Sequence, residues 1–237
     1  MVLCLIKEMN WITQIRDKDF KIYSQYGQDG MIEFIFQQIG VTNKFCVEFG
    51  FNSETLDGGS GSNVARLVIE DGWKPLLLDR DFSNPDINLH KATLTPDNLP
   101  QIFKAFNVPL QPDYVSIDVD GIDLWLMLSM LADGYRPRLI SIEYNSNFPL
   151  GVSRTMRSDS VKWDGTKNYG ASLTALNNVA KQYDYQLVSV LRGADLFFLR
   201  GGFAYAEELP SLETFAFATG VKRHSGRIDE TKFVEFP

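Results

Sequence analysis

Apolar residues along this chain fall into two rhythms. Short, nearly unbroken apolar runs end in a carboxylate or a glycine: Phe45-Cys46-Val47-Glu48-Phe49-Gly50, Pro75-Leu76-Leu77-Leu78-Asp79, Tyr114-Val115-Ser116-Ile117-Asp118 and Arg138-Leu139-Ile140-Ser141-Ile142-Glu143. Runs of this length predict buried strands. Between them apolar positions recur at helical spacing: Met31, Ile32, Phe34, Ile35 and Ile39 before the stop at Gly40, then Asn63 to Glu70, Leu99, Ile102, Phe103 and Phe106, Leu124 to Leu131, and Ala171 to Ala180. These predict helices. Tyr185 to Val190 and Asp195 to Arg200 read as a closing pair of strands. Strand and helix therefore alternate, which implies an α/β fold: a Rossmann-like, doubly wound, mostly parallel sheet whose ligands collect beyond the carboxyl ends of its strands. Glu48, Asp79, Asp118 and Glu143 should all emerge there.

Two segments break the rhythm. Residues 81–96 are polar and punctuated by proline, and residues 145–169 form a long polar stretch with Pro149, Gly151, Gly165 and a single tryptophan, Trp163. The second reads as an active-site lid, since long loops in compact domains usually carry function. The chain of 237 residues is long enough for one α/β domain with a full core, and no linker divides it. The expected division is an N-terminal helical segment (1–40), a core (41–200) and a C-terminal extension (201–237) without clear periodicity.

Composition narrows the class. Hydrophobic residues make up 44% and charged residues 22%, as in a soluble globular protein. Thirty acidic residues against 23 basic ones give a formal charge of -7, which disfavours a nucleic-acid partner. Cys4 and Cys46 are too few for a disulfide framework or a zinc cluster, and Cys46 sits inside an apolar run. The apolar start Met1 to Ile6 is interrupted by Lys7 and Glu8, short of a signal-peptide core or a membrane span, so a cytoplasmic location is expected. The oligomeric state is open, a homo-oligomer included.

Candidate chemistry begins at Glu48 and Gly50. A strand ending in an acid and a glycine, then a loop and a helix, is how nucleotide-type cofactors are held, and Asp79 ends the next strand where a carboxylate would reach a ribose. A dinucleotide needs three spaced glycines for its pyrophosphate, whereas Gly50 is followed by Phe51, Asn52 and Ser53. An NAD-dependent oxidoreductase is therefore disfavoured. A carboxylate at Glu48 repels phosphate but suits a sulfonium, an ammonium group and ribose hydroxyls, which points to S-adenosylmethionine. The plainer alternative is a strand-end charge beside a turn glycine. The polar segment Ser24-Gln25-Tyr26-Gly27-Gln28-Asp29 either caps the following helix or touches ligand.

A second constellation follows. Ser116-Ile117-Asp118-Val119-Asp120-Gly121 places two acids at alternate positions as a strand ends, and Glu143-Tyr144-Asn145 repeats the arrangement one strand later. Asp118, Asp120 and Glu143, with the amide oxygen of Asn145, are the hard ligands that magnesium or calcium prefers. An ion there would lower the pKa of a substrate hydroxyl and position its oxygen; without one, a carboxylate could act as general base. Both versions lead to oxygen methylation, with Asp118, Asp120, Glu143 and Asn145 as the catalytic candidates. Against this stands a capping and turn role, which Asp120-Gly121 suits and which is the stronger reading for Asp123. His90 and His224, the only histidines, read as structural or solvated, and no serine sits in a nucleophile elbow.

The order Ser24-Gln25, Gln28-Asp29, Val47-Glu48-Phe49-Gly50, Ser62-Asn63, Gly72-Trp73, Leu78-Asp79 and Ile117-Asp118-Val119-Asp120-Gly121 resembles that of FkbM-like methyltransferases across roughly residues 23 to 200. Glu143-Tyr144-Asn145 and Tyr169-Gly170-Ala171-Ser172-Leu173 look similar to a bacterial branch of that family. The resemblance implies a class I methyltransferase fold, its sheet closed by an antiparallel strand. It also implies S-adenosylmethionine near Gln25, Glu48, Gly50, Asn63, Asp79 and Asp118, and a sugar or other small-molecule hydroxyl approaching Asp118 and Glu143, in related enzymes often with magnesium. Phe51-Asn52-Ser53-Glu54 after Gly50 and the insertion Asp57-Gly58-Gly59-Ser60-Gly61 depart from the family's glycine-rich first motif. A non-catalytic nucleotide-binding module of the same fold is the competing reading.

Overall fold

A seven-stranded sheet carries the architecture. Its strands are β1 (Phe45–Phe49), β2 (Lys74–Asp79), β3 (Leu89–Lys91), β4 (Tyr114–Ile117), β5 (Leu139–Glu143), β7 (Tyr185–Val190) and β8 (Asp195–Arg200), in the order β3-β2-β1-β4-β5-β8-β7. All neighbours from β3 to β5 pair parallel, and β8 alone runs antiparallel, between β5 and β7. This is the Rossmann-like sheet expected from the sequence, with the inserted antiparallel strand of the class I methyltransferase fold. The computed structural model describes residues 10–160, 163–204 and 209–237. Met1 to Ile6 and Cys4 lie outside them.

Alternation along each strand sorts the core. Val47 and Phe49 of β1, with Leu76, Leu78, Val115, Ile117, Ile140 and Ile142, pack under α4 (Leu99–Ala105), α5 (Asp123–Ala132) and α6 (Leu173–Gln182). Cys46, Leu77, Tyr114 and Leu139 face the other way, onto α1 (Trp11–Gln14), α2 (Gln28–Ile39) and α3 (Ala65–Ile69). Two buried faces explain why the strands read as unbroken apolar runs. Glu48, between Val47 and Phe49, lies on the α2–α3 side.

Three short strands leave no clear signal in the sequence. β3 is three residues long with one buried apolar side chain, Leu89, inside the proline-punctuated stretch. Inside the expected lid, β6 (Arg154–Met156) pairs antiparallel with β9 (Phe233–Glu235) from the C-terminal extension. Phe148, Met156 and Phe233 bury each other at that junction. Among the described residues no helix is long and apolar enough to cross a membrane.

The two ends of the sheet treat buried carboxylates differently. At the amino ends of the strands, Asp113 accepts from the backbone N–H groups of Thr42, Asn43 and Lys44 at 2.8–3.0 Å and from Arg138 Nη1 at 3.0 Å. Burial pushes its carboxyl up, but those donors outweigh burial and hold it below the usual range. The acid is satisfied. At the carboxyl ends, Glu143 keeps one buried oxygen without a hydrogen-bond partner.

Candidate functional site

Strand order reverses between β1 and β4, the position at which open α/β sheets bind ligands. The turn leaving β1 is pressed against the end of β4. Gly50 has φ +74°, and a Cβ there would fall on the carbonyl oxygen of Asp118. Glycine is required twice over, for its backbone angle and for the close approach.

Glu48 is 6% exposed and accepts from Ser62 Oγ at 2.6 Å and Asn63 N at 2.8 Å, organising the turn into α3. Burial raises its pKa to about 7, against the pull of those hydrogen bonds. Asp79 accepts from Asn52 N at 2.9 Å on one oxygen and from Asp81 N and Phe82 N at 2.6 and 3.0 Å on the other. A carboxylate has about four acceptor positions, so Asp79 retains one. Asn63 Nδ2 donates to Ser116 Oγ at 3.0 Å and to Asp195 Oδ2 at 3.3 Å, and the latter also accepts from Gln28 Nε2 at 2.8 Å.

The segment 24–29 is built from its own side chains. Asp29 Oδ2 accepts from the N–H groups of Ile22, Tyr23 and Ser24 and from Ser24 Oγ, and Gln28 Oε1 from those of Tyr26 and Gly27. The residue before α2 is Gly27, which offers no side-chain cap, but Ser24 Oγ accepts from Asp29 N in the first turn at 3.2 Å. The loop lies against Gly61, where a Cβ would come within 2.6 Å of Gln25 N. Gln25 itself is exposed beside this loop.

Asp118, Asp120 and Glu143 converge. One oxygen of each lies within 4.8 Å of the others. Parallel register causes this: Ile117 pairs with Ile142, so the residues that follow emerge at the same height. Asp120 has φ +58°, a left-handed conformation that aspartate tolerates better than most residues. Asp123, at the start of α5, holds it by accepting from Val119 N at 2.7 Å and Gly121 N at 2.9 Å. Asp123 therefore shapes the turn, and burial raises its pKa to about 6.

Glu143 is 7% exposed, and its Oε2 is buried without a hydrogen-bond partner. Burial first, then Asp118, Asp123 and Asp120, push its carboxyl well above the usual range. Burial and then Asp120 do the same to Asp118. Asn145 is occupied elsewhere. Its Nδ2 donates to the carbonyls of Lys167 and Tyr169, and its Oδ1 accepts from Asn147 N and Nδ2, so it ties down the long loop rather than offering its oxygen to the cluster.

Sequence reasoning missed Asp195 and Arg223. Burial raises the Asp195 carboxyl, and its Cα partner across the β5–β8 pair is Glu143. Its strand was legible, but the partners Gln28 and Asn63 lie far away in sequence and left no local signal.

No protein-family model matches the chain, and no curated protein matches it. Among solved structures it is similar to the MycE methyltransferase from the mycinamycin biosynthetic pathway in complex with Mg, SAH and mycinamycin VI. That similarity is 15% identity and a TM-score of 0.43, over 74% of this chain and 49% of that chain. A second structure of MycE with Mg and SAH gives 15% identity and a TM-score of 0.41, over 73% and 48%. The chain spans about half the length of these structures.

Proposed function

We propose that the chain is an S-adenosylmethionine-dependent O-methyltransferase acting on a hydroxyl of a sugar or related small molecule, with a divalent ion held by Asp118, Asp120 and Glu143. One observation carries this reading: beside the switch point of the sheet, Glu143, with one oxygen buried and unpartnered, forms a cluster with the carboxyls of Asp118 and Asp120. Burying such charges costs several kcal/mol per ion unless a cation compensates. Asp113 shows how the same fold satisfies a purely structural acid.

The donor set fits the ion. Three carboxyls supply hard oxygens and no sulfur or imidazole, which suits magnesium and leaves positions for water or substrate oxygen. A bound ion would supply Lewis acidity, lowering the pKa of an acceptor hydroxyl. The protein's own groups do the rest. Asp79 keeps an acceptor position for a ribose hydroxyl, while Glu48 places a carboxylate where a sulfonium or ammonium favours its charged form. Asn63 fixes the turn between them, and Gln25 is exposed on the adjoining loop.

Titration calorimetry with S-adenosylmethionine tests the reading. Binding to the wild-type protein is expected, and Asp79→Ala should weaken it by roughly 1.5–3 kcal/mol, the worth of a hydrogen bond to a charged group. Folded protein that takes up no donor, with or without magnesium, overturns the assignment.

A further inference from the structure

The C-terminal extension brings a cation to this acidic end. Tyr144 Oη donates to Ala218 O at 2.8 Å, Gly220 N to Phe148 O at 2.9 Å, Val221 N to Ser146 O at 2.8 Å and Arg223 N to Asn147 Oδ1 at 2.9 Å. These bonds strap residues 218–223 onto the loop leaving β5. Arg223 Nη2 donates to Tyr26 Oη at 3.0 Å, and the guanidinium lies over that ring, 5.6 Å from its centre. Arg223 Nη1 is buried and has no hydrogen-bond partner. The strap fixes Arg223 on the loop that follows Glu143, bonded to Asn147, and its charge lowers the carboxyls of Asp120, Glu143 and Asp195. Arg223 Nη1 and Glu143 Oε2, buried atoms of opposite polarity, each lack a hydrogen-bond partner, which native structures rarely tolerate without a role.

We propose that Arg223 is the built-in counter-cation of the acidic site, offsetting part of the carboxyl charge in the ion-free protein and opposing the divalent ion when it arrives. The inference rests on the ion-binding reading above. A fixed positive charge near a cation site weakens binding by Coulomb repulsion, which keeps the ion exchangeable and makes its affinity depend on how the extension is strapped down.

Calorimetry with manganese alone, on the full chain without donor, tests it. Arg223→Gln should bind manganese about tenfold tighter than wild type, and Arg223→Lys, which keeps the charge, should stay within about threefold. Tyr26→Phe removes the Nη2 hydrogen bond but no charge and should also remain near wild type. Circular dichroism melting confirms that each variant is folded. If wild type binds manganese and Arg223→Gln binds no tighter, the inference alone falls. If no variant binds manganese, the ion site falls and takes the inference with it; binding by Arg223→Gln alone supports both.

Discussion

Gly50→Ala is expected to cost at least roughly 4 kcal/mol of folding stability, in the range reserved for backbone clashes and strained angles. The new Cβ would meet the Asp118 carbonyl oxygen while the backbone is held at φ +74°. Neither atom belongs to a flexible side chain, so relief requires moving the β1 turn or the end of β4. Gly72 provides the control, because it has φ +67° and a Cβ added there would meet nothing within 4 Å. Gly72→Ala should lose only about 1 kcal/mol, the cost of the left-handed angle. Urea denaturation of both variants separates clash from angle. Equal losses would mean that the β1 turn does not press on β4, and the geometry joining Glu48 to Asp118 would fail with it.

The sequence is most legible where one physical rule suffices. Strands buried on both faces announce themselves as apolar runs, which is why β1, β2, β4, β5, β7 and β8 can be read nearly to the residue. β3 and β6 are edge or satellite pieces of three residues each, too short for periodicity to register, and β6 has meaning only with β9, far along the chain. The carboxylate cluster is legible because parallel register brings successive strand ends to one level. Asn145 shows the limit of the same logic: a polar residue next to a site is also what a loop needs to satisfy its own backbone. Asn145 spends its amide on Lys167, Tyr169 and Asn147. Arg223 cannot be read at all, since its position depends on a strap of bonds between residues 144–148 and 218–223.

Glu143→Gln is expected to stabilise the ion-free protein while removing its response to magnesium. In the folded chain the Glu143 carboxyl is pushed well above the ordinary value of 4.5, chiefly by burial and then by Asp118. A carboxyl whose folded pKa is raised contributes fully below its unfolded pKa, and that contribution is lost as pH rises through the folded value. Glu48, raised to about 7, adds a loss of the same sign between 4.5 and about 7. Wild-type stability should therefore fall as pH climbs from acid toward neutrality. Glutamine carries no charge, and its amide can donate to the neighbouring carboxyls. At about pH 8 the variant should melt several degrees higher than wild type, and at about pH 4, where Glu143 is protonated in both states, the difference should vanish. Adding magnesium at about pH 8 should raise the wild-type melting temperature by mass action and leave the variant unmoved. A variant less stable than wild type at both pH values without ion would mean that Glu143 is already compensated inside the protein, leaving no electrostatic reason for a cation there.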